Sequence, residues 1–197
     1  MKIKYLVIFL GSILSALLFI QCTSNVDSNP DPGVLRINIV TNPADTCIQI
    51  GFDSLFITNN DNFPLIISQM KTYTAEENYA QLFPNFAGYK DEDIEYNFLE
   101  REQDSFVPQK IVESYIPPDA YNKIMFIIYP MESVTIQGLT FPIKTADDYD
   151  PLITLDCNYS IDQNQEYEIY IRFNAFQSIT RWRDTYYFTP IFEIISN

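Results

Sequence analysis

Apolar and polar residues alternate with a period of two along most of this chain, the pattern of half-buried strands. In Val34 to Val40, Leu35, Ile37 and Ile39 fall on one side and Arg36 and Asn38 on the other. Asn42-Pro43-Ala44-Asp45 reads as a turn. Cys47 to Phe52 predicts a second strand with Ile48, Ile50 and Phe52 inward, continued by Leu55 to Thr58 past a kink near Gly51 and Asp53. Asn59 to Asn62 is a turn and Pro64 to Tyr73 another strand. Thr74-Ala-Glu-Glu77 predicts the cap of a short helix through Leu82. Pro84 to Asp93 reads as loop, and Ile94 to Glu100 alternates again.

The second half is more regular. Strands are predicted over Lys110 to Ile116, Tyr121 to Tyr129, Ser133 to Ile136, Leu139 to Lys144, Pro151 to Ile161, Glu166 to Phe173 and Tyr186 to Ile195. Gln137-Gly138 and Asp162 to Gln165 are hairpin turns. In Pro151 to Ile161 the apolar set Ile153, Leu155, Cys157 and Tyr159 is taken as inward. Tyr121 to Tyr129 is apolar enough to be central. Nine or ten short strands predict an all-β fold, an antiparallel β-sandwich of transthyretin-like or immunoglobulin-like form, with one short helix or irregular insertion.

The first residues break this pattern. Met-Lys-Ile-Lys precedes an apolar run from Tyr5 to Ile20, the form of a secretory signal peptide and short of the ~20 residues that span a bilayer. The run ends at Cys22. "LLFIQC" resembles a bacterial lipoprotein signal, in which the cysteine is lipidated and begins the mature chain. The resemblance implies residues 1–21 as signal and Cys22 as the lipidation site. It also implies a location in the cell envelope, on the outer (or cytoplasmic) membrane and outside the cytoplasm. Residues 22–33 are small, polar and proline-containing, a tether. Residues 34–197 then form one sandwich domain.

Charge narrows the partners. Net charge is −14 before processing, with 12 basic and 26 acidic residues. That argues against nucleic acid, whose binding needs phosphate neutralisation. The chain has no histidine, which excludes Ser-His-Asp and Cys-His catalysis and every His-ligated metal site. A hydrolase built on two carboxylates remains formally open. Cys47 and Cys157 are either a disulfide, which the exported compartment permits, or two buried free thiols. A bond closing so long a loop would stabilise by ~4.7 kcal/mol in the chain-entropy model.

Three clusters hold candidate chemistry. Asp91-Glu92-Asp93 and Asp147-Asp148-Tyr149-Asp150 are acidic loops whose Asp91, Asp93, Asp147, Asp148 and Asp150 offer the hard oxygens that calcium takes, though solvated surface charge is the commoner use of such runs. Asp27, Asn29 and Asp31 alternate like the opening of a calcium loop, without its closing acidic ligand. Trp182, Tyr186 and Tyr187, flanked by Arg181 and Arg183, combine flat rings with polar forks and suit recognition of sugar or peptide. The competing use of that segment is core, with alternate rings turned inward. No cofactor is expected.

Several stretches taken together resemble a family of prokaryotic lipoprotein domains of unknown function. They are "GVLRINIVTNPADTCIQIGFDSLFI", "IPPDAYNKIMFIIYPMESVTIQGLTFPIK", "YEIYIRFNAFQSI" and "YYFTPIFEI", in order from Gly33 to Ile195. Thr74 to Asp93 has no counterpart there. The family is similar to transthyretin-like, carbohydrate-binding-like sandwiches, and the resemblance carries no catalytic residues. The expectation is a non-enzymatic, lipid-anchored protein that binds a protein or surface polymer, with a carbohydrate-binding module as the alternative.

Overall fold

The computed structural model describes residues 30–50, 53–86, 94–130, 132–146 and 149–195. The predicted signal, Cys22, Asp27, Asn29 and Phe52 lie outside them, as do the acidic residues 91–93, 147 and 148. Asp31–Asn197 forms one compact unit.

The described residues are all-β and hold no helix. The first sheet has the order β17 (Phe192–Ile195), β14 (Glu166–Phe173), β1 (Gly33–Thr41), β9 (Gln109–Ile116). The second runs β13 (Leu152–Ile161), β10 (Asp119–Pro130), β4 (Pro64–Thr74), β5 (Tyr79–Gln81), with β6 (Ile94–Asn97) also on β4. A third, smaller sheet has the order β11 (Ser133–Ile136), β12 (Leu139–Thr145), β16 (Thr185–Phe188), β15 (Ile179–Trp182). Two short hairpins complete the fold: β2 (Cys47–Ile50) with β3 (Asp53–Phe56), and β7 (Arg101–Glu102) with β8 (Ser105–Phe106).

Period-two patterning explains the core. Leu35, Ile37 and Ile39 of β1 are fully buried, beside Ile169, Ile171 and Phe173 of β14. The second sheet contributes Ile124, Phe126 and Ile128. Rings bridge the two sheets: Phe126 meets Phe192 edge-on at 5.6 Å, and Tyr159 stacks on Tyr167 at 5.3 Å. On the solvent side of β1, Arg36 binds Glu113 of β9 at 2.9 Å and Glu166 of β14 at 2.6 Å, tying three strands together.

One buried carboxylate fixes the third sheet. Asp61, 1% exposed, accepts hydrogen bonds from the Thr58 N–H (2.7 Å), the Thr58 hydroxyl (2.9 Å) and the Gln137 N–H (2.7 Å). Beside it Asn62 and Thr135 exchange backbone bonds. The β11–β12 turn that Asp61 grips has φ of 51° at Gln137 and 75° at Gly138, the left-handed pair that a two-residue hairpin loop requires.

Several sequence expectations need correction. Thr74 to Leu82 is not a helix but the end of β4, a turn, and β5. Buried Thr72 and Thr74 at the end of β4, and Ala80 and Leu82 at β5, are each spaced by two, and between them Glu77 turns the chain at φ 62°. Tyr186 to Ile195 is two strands, β16 and β17, in different sheets. Pro190 between them lacks the N–H that a continuous ladder needs. The sheets are not wholly antiparallel either: β1 pairs with β14, and β12 with β16, in parallel. Cys47 and Cys157 are unbonded thiols, and Cys47 is exposed rather than buried. Of the expected inward set of β13, Cys157 and Tyr159 are buried and Ile153 and Leu155 half-buried against the core, while Leu152, Thr154 and Asp156 are exposed.

Candidate functional site

The β15–β16 hairpin carries the aromatic and basic cluster. Its register places Ile179 opposite Phe188, Thr180 opposite Tyr187, Arg181 opposite Tyr186 and Trp182 opposite Thr185. Alternation therefore divides the cluster. Tyr186 and Arg181 share the face of buried Phe188, whereas Trp182 and Tyr187 lie on the opposite face. The segment is thus both things that its sequence allowed. Tyr186 packs edge-on against Phe141 at 6.0 Å, and Trp182 is 67% exposed.

The hairpin is braced from below and at its tip. Under it, Ile48 and Ile50 of β2 pack against Phe141, Ile143, Ile179 and Tyr186 around an apolar void of only about 10 Å³. A space that small and apolar stays dry. At the tip Arg183 adopts φ 57°, a conformation that costs an L-residue ~1–2 kcal/mol. Arg181 compensates by donating from Nε to the Arg183 carbonyl at 2.8 Å and reaching Asp184 at 3.4 Å. Its guanidinium also stands 5.9 Å from the Tyr186 ring centre, and that of Arg183 stands 6.0 Å from the Trp182 ring. Both distances are at the outer limit of cation–π attraction. The exposed indole is therefore held on a supported scaffold, with the Arg183 guanidinium beside it.

The metal candidates fare differently. Asp150 is exposed and its Oδ1 accepts the Leu152 N–H at 2.9 Å, a local turn that starts β13. Asp31 accepts from Asn164 Nδ2 at 3.3 Å, at the turn between β13 and β14. Among the described residues no three histidine, cysteine or acidic side chains are grouped to hold a metal. Asp91, Asp93, Asp147 and Asp148 lie outside those residues.

The two thiols differ in chemistry. Burial, with some help from the Asp156 charge, pushes the Cys157 thiol up to about 12. It is protonated at neutral pH and a poor nucleophile. Burial likewise pushes the Tyr121 and Tyr149 hydroxyls up to about 12. Their OH groups donate to the carbonyls of Pro117 and Ile128, both at 2.8 Å, which is a structural use.

A second surface was not anticipated. On the outer face of the second sheet Tyr73 and Tyr79 lie side by side across β4 and β5, 5.8 Å between centres. Lys71 Nζ stands 4.8 Å from the Tyr79 ring and Lys123 Nζ 5.5 Å from the Tyr73 ring. The alternation of β4 already places Lys71 and Tyr73 on one side. Tyr79 joins them only once Thr74 to Leu82 is seen as a hairpin.

Compared with known proteins, the chain matches no family model, no curated protein and no solved structure.

Proposed function

We propose that this protein is a lipid-anchored, extracytoplasmic β-sandwich that works by binding rather than by catalysis, with the β15–β16 hairpin as its contact point for a protein or surface polymer. The observation that carries the reading is Trp182, two-thirds exposed on a hairpin whose underside is packed and whose tip is braced. Tryptophan, tyrosine and arginine are the residues that most often dominate binding energy, each such anchor costing ~2 kcal/mol or more on truncation. Trp182, Tyr187 and Arg183 supply one of each. The N-terminal signal and Cys22 supply the anchor, and the resemblance to envelope lipoprotein domains agrees with that placement.

The carbohydrate-binding alternative draws on the same indole. It works with a smaller platform than the sequence offered, because Tyr186 faces the interior. Both readings are tested by probing glycan and peptide arrays and isolated envelope polymers with the purified chain. Trp182 is the only tryptophan, so its fluorescence reports occupancy directly. A ligand should shift the emission of a water-exposed indole to the blue. Trp182→Ala should weaken binding roughly 30-fold without moving the thermal midpoint. A ligand bound equally well by Trp182→Ala removes the hairpin from the account.

A further inference from the structure

We propose that the free edge of β13 is a strand-addition site for an extended, basic peptide segment of a partner protein. This site is distinct from the hairpin and does not rest on it. β13 is ten residues long and pairs with β10 on one side. Among the described residues no strand pairs with its other side. That edge carries a row of backbone donors and acceptors that a further strand would satisfy.

Beside the edge, among the described residues, the seam between the two main sheets is open. A cleft of about 300 Å³ lies there, with Cys157 and Tyr159 of β13 on one wall and Tyr167, Ile169 and Ile194 of the first sheet on the other. A column of stacked rings runs into it, Tyr121 on Tyr159 at 5.4 Å and Tyr159 on Tyr167 at 5.3 Å. An added strand sends every second side chain toward this cleft, which has room for one aromatic or branched aliphatic group. Backbone pairing would supply affinity and the cleft a side-chain preference, the division of labour seen in strand addition generally.

Charge identifies the occupant. Long edge strands are normally guarded by lysine, proline or an inward charge. β13 has no basic residue and no proline. Its one charge is exposed Asp156, and exposed Glu168 lines the cleft from β14. The chain as a whole stands at −14. A second copy would bring like charge to like charge, whereas a segment alternating Lys or Arg with apolar residues matches both the edge and the cleft.

The test uses the full purified chain and a labelled eight-residue peptide alternating lysine with valine, one valine replaced by tyrosine. Hydrogen exchange locates the contact. The expected result is binding that slows exchange over 152–161. It should weaken at least tenfold with a glutamate-for-lysine peptide, and equally with a peptide N-methylated at alternate residues, which keeps the charge but cannot pair. Asp156→Asn combined with Glu168→Gln, which puts no lysine opposite Lys123 and keeps an acceptor for the Asn38 amide, should also weaken it about fivefold at a nearly unchanged thermal midpoint. Absence of binding, undiminished binding of the N-methylated peptide, or protection confined to other strands would overturn the proposal. So would concentration-dependent protection of 152–161 without peptide, which would assign the edge to a second copy.

Discussion

Replacing Asp61 with alanine removes the acceptor of three hydrogen bonds in a site 1% exposed to solvent. The Thr58 hydroxyl can turn to another partner. The N–H groups of Thr58 and Gln137 cannot, because the chain that carries them is fixed by the Asn62–Thr135 bridge. Each buried donor left unmade costs ~1–3 kcal/mol. Some of this is relieved where water reaches the vacated space, so a total of ~2–5 kcal/mol follows for two donors. In a domain of this size each kcal/mol moves the thermal midpoint by ~2–4 °C, so the expected fall is ~4–20 °C. Asp61→Asn keeps one of the two oxygens and should lose about half as much. The assay is thermal unfolding followed by circular dichroism, with hydrogen exchange at Gln137 as the local readout. If the alanine variant melts within 2 °C of wild type, or Gln137 exchanges no faster, Asp61 does not hold the third sheet and the reasoning fails.

Other consequences follow from single contacts. Gly33→Ala would drive a Cβ into Ile161 Cγ2 and to 2.8 Å from the Asp162 carbonyl oxygen, so a loss of ~1–3 kcal/mol is expected in urea unfolding, and a neutral result would contradict the close approach of β1 to the β13–β14 turn. In a Cys22→Ala chain, maleimide should label Cys47 in the folded protein and Cys157 only after unfolding; equal rates would refute their placement. Lys110 and then Arg36 hold the Glu113 carboxyl below its ordinary value. Its folded pKa lies below its unfolded one, so its stabilisation is present above about pH 4.5 and is lost as pH falls through the folded value. Glu113→Gln should therefore lose less stability on acidification than wild type does. Asp45 acts in the opposite sense, because burial raises its pKa and its contribution declines as pH rises through that value.

The legible parts of this fold were those where one face of a strand meets the core. β1, β13 and β14 show their inward sets by alternation alone, since a single-residue slip would expose every buried side chain. β15 was not legible. Thr180, Arg181 and Trp182 are all exposed, so no apolar alternation marks the strand. Thr74 to Leu82 misled because a Thr-Ala-Glu-Glu cap and a tight turn share residue types, and local propensity yields to the pairing of Tyr79 to Gln81 with β4. The parallel pairing of β1 with β14 joins residues about 130 apart and leaves no local trace. At the candidate site, residue types pointed to Trp182 and its neighbours. Which ring faces solvent depends on strand parity, and that parity became readable only when β16 was separated from β17. The open seam along β13 arises from which of the described strands pair and which do not, a property of the assembled sheets that no short segment encodes.

The account depends most on Cys22 as an envelope anchor for this sandwich. Cells expressing the wild-type chain or Cys22→Ala, fed radiolabelled palmitate and then fractionated, test it directly. The account predicts label on the wild-type protein in the membrane fraction, no label on Cys22→Ala, and digestion by protease added to spheroplasts. An unlabelled, full-length chain in the cytosol and beyond the reach of protease would contradict it.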